Sequence, residues 1–125
     1  MIFGIGTDLA EVERIAERLA KNQGFKELVF SAGEILYCEA RANKHEHYAA
    51  RFAAKEAFLK ALGTGWAKGT AFNEIEIYND EQGKPELRFL GNTATTIEGL
   101  KLGKIFVSLS HVKTIASAVV VIEAG

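Results

Sequence analysis

Three charged side chains stand where charge is either costly or useful: Asp8, Glu56 and Lys60. Asp8 follows Gly4-Ile5-Gly6-Thr7, at the expected end of a first strand. Its spacing to Glu11 is that of an N-cap and N3 pair, so one reading is a helix cap. The other reading is chemical. Two glycines leave a strand face bare to close approach by a ligand, and a carboxylate beside it suits a hard cation such as Mg²⁺. The two roles are compatible. Glu56 and Lys60 stand four residues apart in a helical stretch, and a surface pair of that kind is worth about 0.2–0.5 kcal/mol. This helix is not an ordinary surface helix. Ala54, Ala57, Phe58 and Ala61 form its core stripe, yet Phe52 and Leu59 fall on the side that carries Glu56 and Lys60. A helix apolar nearly all round is buried or covered by something. Charges in such a setting need a counter-charge or a metal.

Other residues carry weaker signals. Gly63-Thr64-Gly65 ends the helix, and Gly63 fits the left-handed residue that closes one. The segment lacks the P-loop pattern for a phosphate cradle. Ser108 and Ser110 stand one strand period apart and can offer two hydroxyls to phosphate oxygens from one face, or simply serve the following turn. His111 has no second ligand at zinc-like spacing, and His45 with His47 makes no convincing metal pair. Arg14, Arg18 and Lys21 recur at helical spacing among Glu13 and Glu17. They form either a solvated mixed-charge face or a docking strip for an acidic protein helix.

The elements that must position these groups are legible from periodicity. Ile2–Thr7 reads as a strand, and a helix over about Leu9–Asn22 buries Val12, Ile15, Ala16 and Leu19. Ser31 and Glu34 have capping-box spacing and open a helix through about Arg41. The main helix spans roughly His45–Leu62. Phe72, Ile75 and Ile77 belong to a strand region that turns over Asn79–Pro85 and returns along Glu86–Leu90. A short helix near Thr93–Leu100 precedes strands over Ile105–Ser110 and Ile115–Ile122. Helices packed on a mostly antiparallel sheet make the expected class α+β.

The 125 residues suit a single domain over 1–125. Apolar residues make up 48% and charged residues 25%, with a net charge of −1, so no global field draws the chain to nucleic acid or membrane. A charged partner must therefore be met locally. Cys38 is alone, which excludes an internal disulfide and suits a reducing compartment. No basic stretch precedes the first apolar residues, and Asp8 interrupts them, against a signal peptide. The apolar run Ile115–Ile122 is too short to span a bilayer. A cytoplasmic protein is the expectation.

Three segments together resemble the holo-acyl-carrier-protein synthase family, the short bacterial phosphopantetheinyl transferases. They are Gly4-Ile5-Gly6-Thr7-Asp8-Leu9, the block Arg51-Phe52-Ala53-Ala54-Lys55-Glu56-Ala57-Phe58-Leu59-Lys60-Ala61-Leu62-Gly63-Thr64-Gly65, and Ser108-Leu109-Ser110-His111. The resemblance covers essentially the whole chain and implies the 4′-phosphopantetheinyl transferase-like fold. It also implies transfer of the phosphopantetheine arm of coenzyme A to a serine of apo-acyl carrier protein, for fatty acid biosynthesis, with release of 3′,5′-ADP. In that likeness Asp8 and Glu56 hold Mg²⁺ and Lys60 contacts the pyrophosphate. Ser110 and His111 lie along the phosphate and nucleotide end, and Gly63, Thr64 and Gly65 pack against the coenzyme. Lys44 and Arg41 are candidates for the 3′-phosphate. Arg14, with Arg18 and Lys21, grips the carrier's acidic helix. The serine proton passes to Glu56, to Asp8 or to a water on the metal. A homotrimer with sites between subunits is also implied, and would cover the apolar helix. Two rival readings are a non-catalytic coenzyme or nucleotide binding module and a structural oligomerisation domain.

Overall fold

The computed structural model describes residues 1–63 and 69–125. β1 (Ile2–Glu11) leads into α1 (Val12–Ala20), then two short helices, α2 (Phe25–Val29) and α3 (Ala32–Glu39), and the long α4 (Lys44–Leu62). A 3₁₀ turn (Phe72–Glu74), β2 (Ile75–Asn79), β3 (Pro85–Phe89), α5 (Gly91–Gly99), β4 (Ile105–His111) and β5 (Ile115–Glu123) complete the described chain. β1, β5 and β4 form one sheet in that order, and β2 with β3 forms another. Every strand pairing is antiparallel. The expected α+β class is the class observed.

Alternation along β5 fixes the sheet's two faces. Ala116, Ala118, Val120 and Ile122 are buried, while Ile115, Ser117, Val119 and Val121 point outward. α4 covers the inner face, and β1 makes this possible. A methyl group on Gly4 would sit 1.9 Å from the Ala61 carbonyl oxygen, and one on Gly6 equally close to that of Ala57. The glycine row is therefore not a bare face kept for a ligand, as its sequence suggested. It is the seat of α4.

The helix itself also corrects an expectation. Twelve of its nineteen residues are buried by the chain's own elements, so no neighbouring subunit is needed to cover it. Phe52, on the side that carries Glu56, stacks on Phe72 at 6.0 Å and meets Phe25 at 6.2 Å. The unexpected α2 supplies Phe25; a five-residue helix has too little periodicity to announce itself.

β1 runs four residues beyond its expected end, because its pairing with β5 continues to Glu11 opposite Ile115. Asp8 is consequently a strand residue opposite Ala118, not a helix cap. Glu11 stands at the start of α1, and its side chain makes no capping bond. Long-range sheet pairing outweighs the local cap. The box at Ser31 forms as read: Glu34 N–H donates to Ser31 Oγ, and Ser31 N–H donates to Glu34 Oε1.

That glutamate does more than close α3. Lys55, fully buried on α4, donates to Glu34 Oε1 at 2.7 Å, to Phe72 O at 2.7 Å and to Ile75 O. Ile77 N–H donates to the other carboxylate oxygen. Burial pushes the Lys55 ammonium below the ordinary lysine value, and Glu34 pulls against that shift. Removing one partner of such a buried pair typically costs about 3–5 kcal/mol.

The backbone contact at Gly6 sets the first prediction. Gly6→Ala forces β1 and α4 apart and should destabilise the chain by about 3 kcal/mol or more in urea unfolding. Gly83→Ala, where only a positive φ of 84° is strained and space is open, should cost about 1–2 kcal/mol. Equal losses would show that the close approach is not limiting.

Candidate active site

Asp8 continues the row begun by Gly4 and Gly6, so the packing that seats α4 also brings this carboxylate against the helix. It is 14% exposed and accepts a hydrogen bond from Lys60 Nζ at 2.9 Å. The same ammonium donates to the Thr7 carbonyl at 3.0 Å. Lys60 therefore crosses to the strand rather than reaching back one turn to Glu56, which replaces the simple intrahelical pair. The hydrogen bond to Asp8, then its charge, raises the Lys60 pKa further above neutrality and keeps the amine cationic.

Glu56 is half-buried beside this pair. Burial raises its carboxyl pKa first and the charge of Asp8 raises it further, while Lys60 and Arg18 oppose the shift. Two carboxylates thus share one place with a single hydrogen-bonded ammonium, an arrangement that favours a further cation. Asp8, Glu56, Arg14 and Arg18 line a cleft of about 440 Å³. Thr7, Asp8, Lys60, Ser108, Ser110 and Ser117 line a second, of about 670 Å³. Asp8 belongs to both.

The outer face of the sheet borders the second cleft. Leu9, Ser117 and Ser110 stand in register across it, as do Thr7, Val119 and Ser108 and, further along, Ile5, Val121 and Phe106. Ser108 and Ser110 therefore share a face as expected. His111 does not share it, because adjacent strand residues point to opposite sides. The residues read as one site divide into two clusters.

In the second cluster, His111 Nδ1 lies 2.8 Å from Glu46 Oε1. The His111 ring packs edge-on against His47 at 5.2 Å, and His47 against Tyr37 at 5.6 Å. The guanidinium groups of Arg41 and Arg51 lie over the Tyr37 ring at 4.1 and 4.2 Å. Burial, then the charges of His111, Arg51 and Arg41, lowers the His47 pKa. Arg51 is almost wholly buried, donates to Asn79 Oδ1 at 2.8 Å, and has a buried Nε without a hydrogen-bond partner. Sequence reading missed Glu46, His47, Tyr37 and Arg51 as a group. The available signal was the turn-long spacing of His47 and Arg51 on one helix, with Glu46 adjacent.

Arg14, Arg18 and Lys21 are exposed along α1 and just past its end. Arg14 and Arg18 flank the carboxylate cleft, Arg18 lying over Phe25 at 5.0 Å, whereas Lys21 does not line it. Lys44 is engaged by Glu39 at 3.2 Å, and Glu39 also accepts from Lys26 and Tyr48. These partners hold the Glu39 carboxyl down at about 2, the Tyr48 hydroxyl contributing most. Gly63 closes α4 with φ 81°, as the left-handed terminator its sequence suggested. Thr64 and Gly65 lie outside the described residues.

Residues 4–115 match the family model of the 4′-phosphopantetheinyl transferase superfamily. A holo-[acyl-carrier-protein] synthase of Ruminiclostridium cellulolyticum is 50% identical over 124 residues, 97% of this chain and 92% of that protein. The crystal structure of the Neisseria meningitidis holo-[acyl-carrier-protein] synthase superposes with a TM-score of 0.90 at 35% identity, over 98% of this chain and 99% of the other. The Bacillus anthracis synthase, solved in complex with CoA (3′,5′-ADP), gives a TM-score of 0.82 at 37% identity, over 100% and 99%. By family model, sequence and fold together, the chain belongs to the holo-[acyl-carrier-protein] synthases of the 4′-phosphopantetheinyl transferase superfamily.

Proposed function

We propose that this protein moves the 4′-phosphopantetheine group of coenzyme A onto a serine of apo-acyl carrier protein, with Mg²⁺ held by Asp8 and Glu56. The observation that carries the reading is the meeting of Asp8, Glu56 and Lys60, distant in sequence, across the β1–α4 contact. The donor set fits the ion. Two half-buried carboxylates, one raising the other's pKa, offer oxygen ligands to a hard cation that fills its remaining positions with water and phosphate oxygens. Among the described residues no group of three or more His, Cys, Asp or Glu forms an all-protein metal cage. Bound there, Mg²⁺ supplies charge neutralisation on the diphosphate.

The chain's own groups do the rest. The carrier serine oxygen bonds to the phosphorus next to pantetheine, and the bond from that phosphorus to the 3′,5′-ADP oxygen breaks. Lys60, fixed by Asp8 and Thr7, places a permanent positive charge at the cleft where phosphate charge builds. One of the carboxylates at this cleft, Asp8 or Glu56, takes the serine proton. Arg14 and Arg18 flank this cleft and give an acidic carrier helix a reason to dock beside it. Ser110 contributes a hydroxyl to the coenzyme's phosphates, and Lys44 and Arg41 serve its nucleotide end. Among the described residues no helix is long and apolar enough to cross a membrane, and we place the enzyme in the cytoplasm, in fatty acid biosynthesis.

A homotrimer with shared sites completes the proposal, supported by a different surface from the one the sequence suggested. The outer sheet face leaves Ile5 61% and Leu9 70% exposed, with Phe3, Phe106 and Ile115. Contiguous apolar exposure of this kind marks an interface. It also borders the clefts at Asp8, so a neighbour seated there reaches them.

Three outcomes test these assignments. Incubated with apo-carrier protein, coenzyme A and Mg²⁺, the wild type should add a phosphopantetheine mass to the carrier. Asp8→Ala and Glu56→Ala should each lower that rate by about 100-fold or more, at unchanged circular dichroism. Coenzyme binding without any mass gain would favour the non-catalytic module. Arg14→Glu combined with Arg18→Glu should raise KM for the carrier about tenfold or more, with kcat for bound carrier nearly kept. An unchanged KM would remove the docking role. Ile5→Asp should convert a trimer to smaller species in sedimentation velocity and lose transfer activity; a wild-type monomer at working concentration would sink the shared-site assembly.

A further inference from the structure

The mechanism so far leaves unused the carboxylate that touches His111. Glu46 stands in the first turn of α4, and its side chain is 18% exposed; that of His111, at the end of β4, is 28% exposed. They are separated by 65 residues in sequence, so their contact is tertiary rather than local. An ionised carboxylate can only accept, so His111 must carry a proton on Nδ1 to donate across the 2.8 Å gap. This fixes the ring. Nε2 then lies on the side of the imidazole away from Glu46, and the edge contact with His47 limits how the ring can turn.

The surroundings suit an anion. Arg41, Arg51 and His47 gather around Tyr37 next to this pair, and the buried Arg51 Nε lacks a partner. We propose that Glu46 is a positioning residue: its carboxylate holds His111 with a proton on Nδ1, so that Nε2 is the ring atom presented to a phosphate oxygen of the coenzyme. In the doubly protonated ring both nitrogens donate, one to Glu46 and the other to the phosphate, giving a carboxylate–imidazolium–phosphate chain. Without Glu46 the ring is free to rotate or to take the other tautomer, and either change withdraws that donor. The inference rests on the reading that His111 meets the coenzyme, and it adds the group that orients it.

The test uses the full-length protein. Nitrogen-15 spectra of the imidazole rings should show His111 protonated on Nδ1 in the wild type, and Glu46→Ala should shift it toward the Nε2–H form. Glu46→Ala should raise KM for coenzyme A about tenfold with kcat nearly unchanged. Glu46→Gln, whose amide oxygen still accepts from Nδ1–H, should recover most of that loss. In a His111→Ala background, Glu46→Ala should add nothing. An unaltered tautomer in Glu46→Ala, or a KM penalty that persists in full without His111, overturns the proposal. His111→Ala with an unchanged KM sinks the coenzyme reading of His111, and the proposal with it. A KM effect of His111→Ala that Glu46→Ala does not share sinks the proposal alone.

Discussion

The approach of α4 to β1 is the constraint on which the remaining structure depends. Backbone carbonyls of Ala57 and Ala61 lie so near Gly6 and Gly4 that no side chain fits between them. Helix and strand run in opposite directions, so moving forward along β1 from Gly4 to Gly6 to Asp8 means moving backward along α4. The first side chain after the glycine row is therefore a carboxylate, delivered against the helix that bears Glu56 and Lys60. The alanines of α4 serve the same end by keeping the helix slim on its buried sides. Packing comes first here, and the juxtaposition of charges is its consequence.

Close approach sets which face of the helix meets β1. Lys55 anchors the helix from another side. Its ammonium is committed to Glu34 and to the carbonyls of Phe72 and Ile75, so this side of α4 must face α3 and the start of β2. Successive helical residues are separated by about 100°. Glu56 is thus turned away from that buried network and into the cleft with Asp8. The buried pair carries a desolvation penalty that an apolar pair would avoid. Its hydrogen bonds to two carbonyls explain what it secures: one side chain ties the entry to β2 to the helix.

Much of this was legible in the sequence because the signals were periodic or local. The capping box at Ser31 and Glu34, the helical stripe of α4 and the closing apolar strand β5 all appear as read. The failures share a cause. Asp8 resembled a cap because local spacing ignores β5, whose pairing carries β1 past it. The glycines resembled a ligand platform because nothing local reveals the helix that fills their face. Lys60 resembled the partner of Glu56 because helical spacing does not register a strand carbonyl and a strand carboxylate across the interface. Ser110 and His111 are different, since a period of two already places neighbours on opposite faces. There the information was present and their adjacency in the motif obscured it.

That separation bears on how a single coenzyme is held. Glu46 and Glu56 lie about 15 Å apart along α4 by helical rise. The cluster around His111 and the cluster around Asp8 thus occupy different stretches of one rigid helix, and the first lies on the inner side of β4 while Ser110 faces outward. In the proposed trimer, the apolar outer face beside Leu9 brings a second copy to the rim of the Asp8 cleft. A long ligand with a diphosphate near its middle and a nucleotide at one end can then engage the carboxylates of one copy and the histidine cluster of the next. The same α4 serves both halves. On the proposed reading, its glycine-seated segment positions the reacting phosphorus, and its first turn supplies Glu46 to orient the anion-binding ring. Rigid spacing within each copy would then translate into fixed spacing across the interface, which is a physical reason for an enzyme this small to assemble around its own sheet.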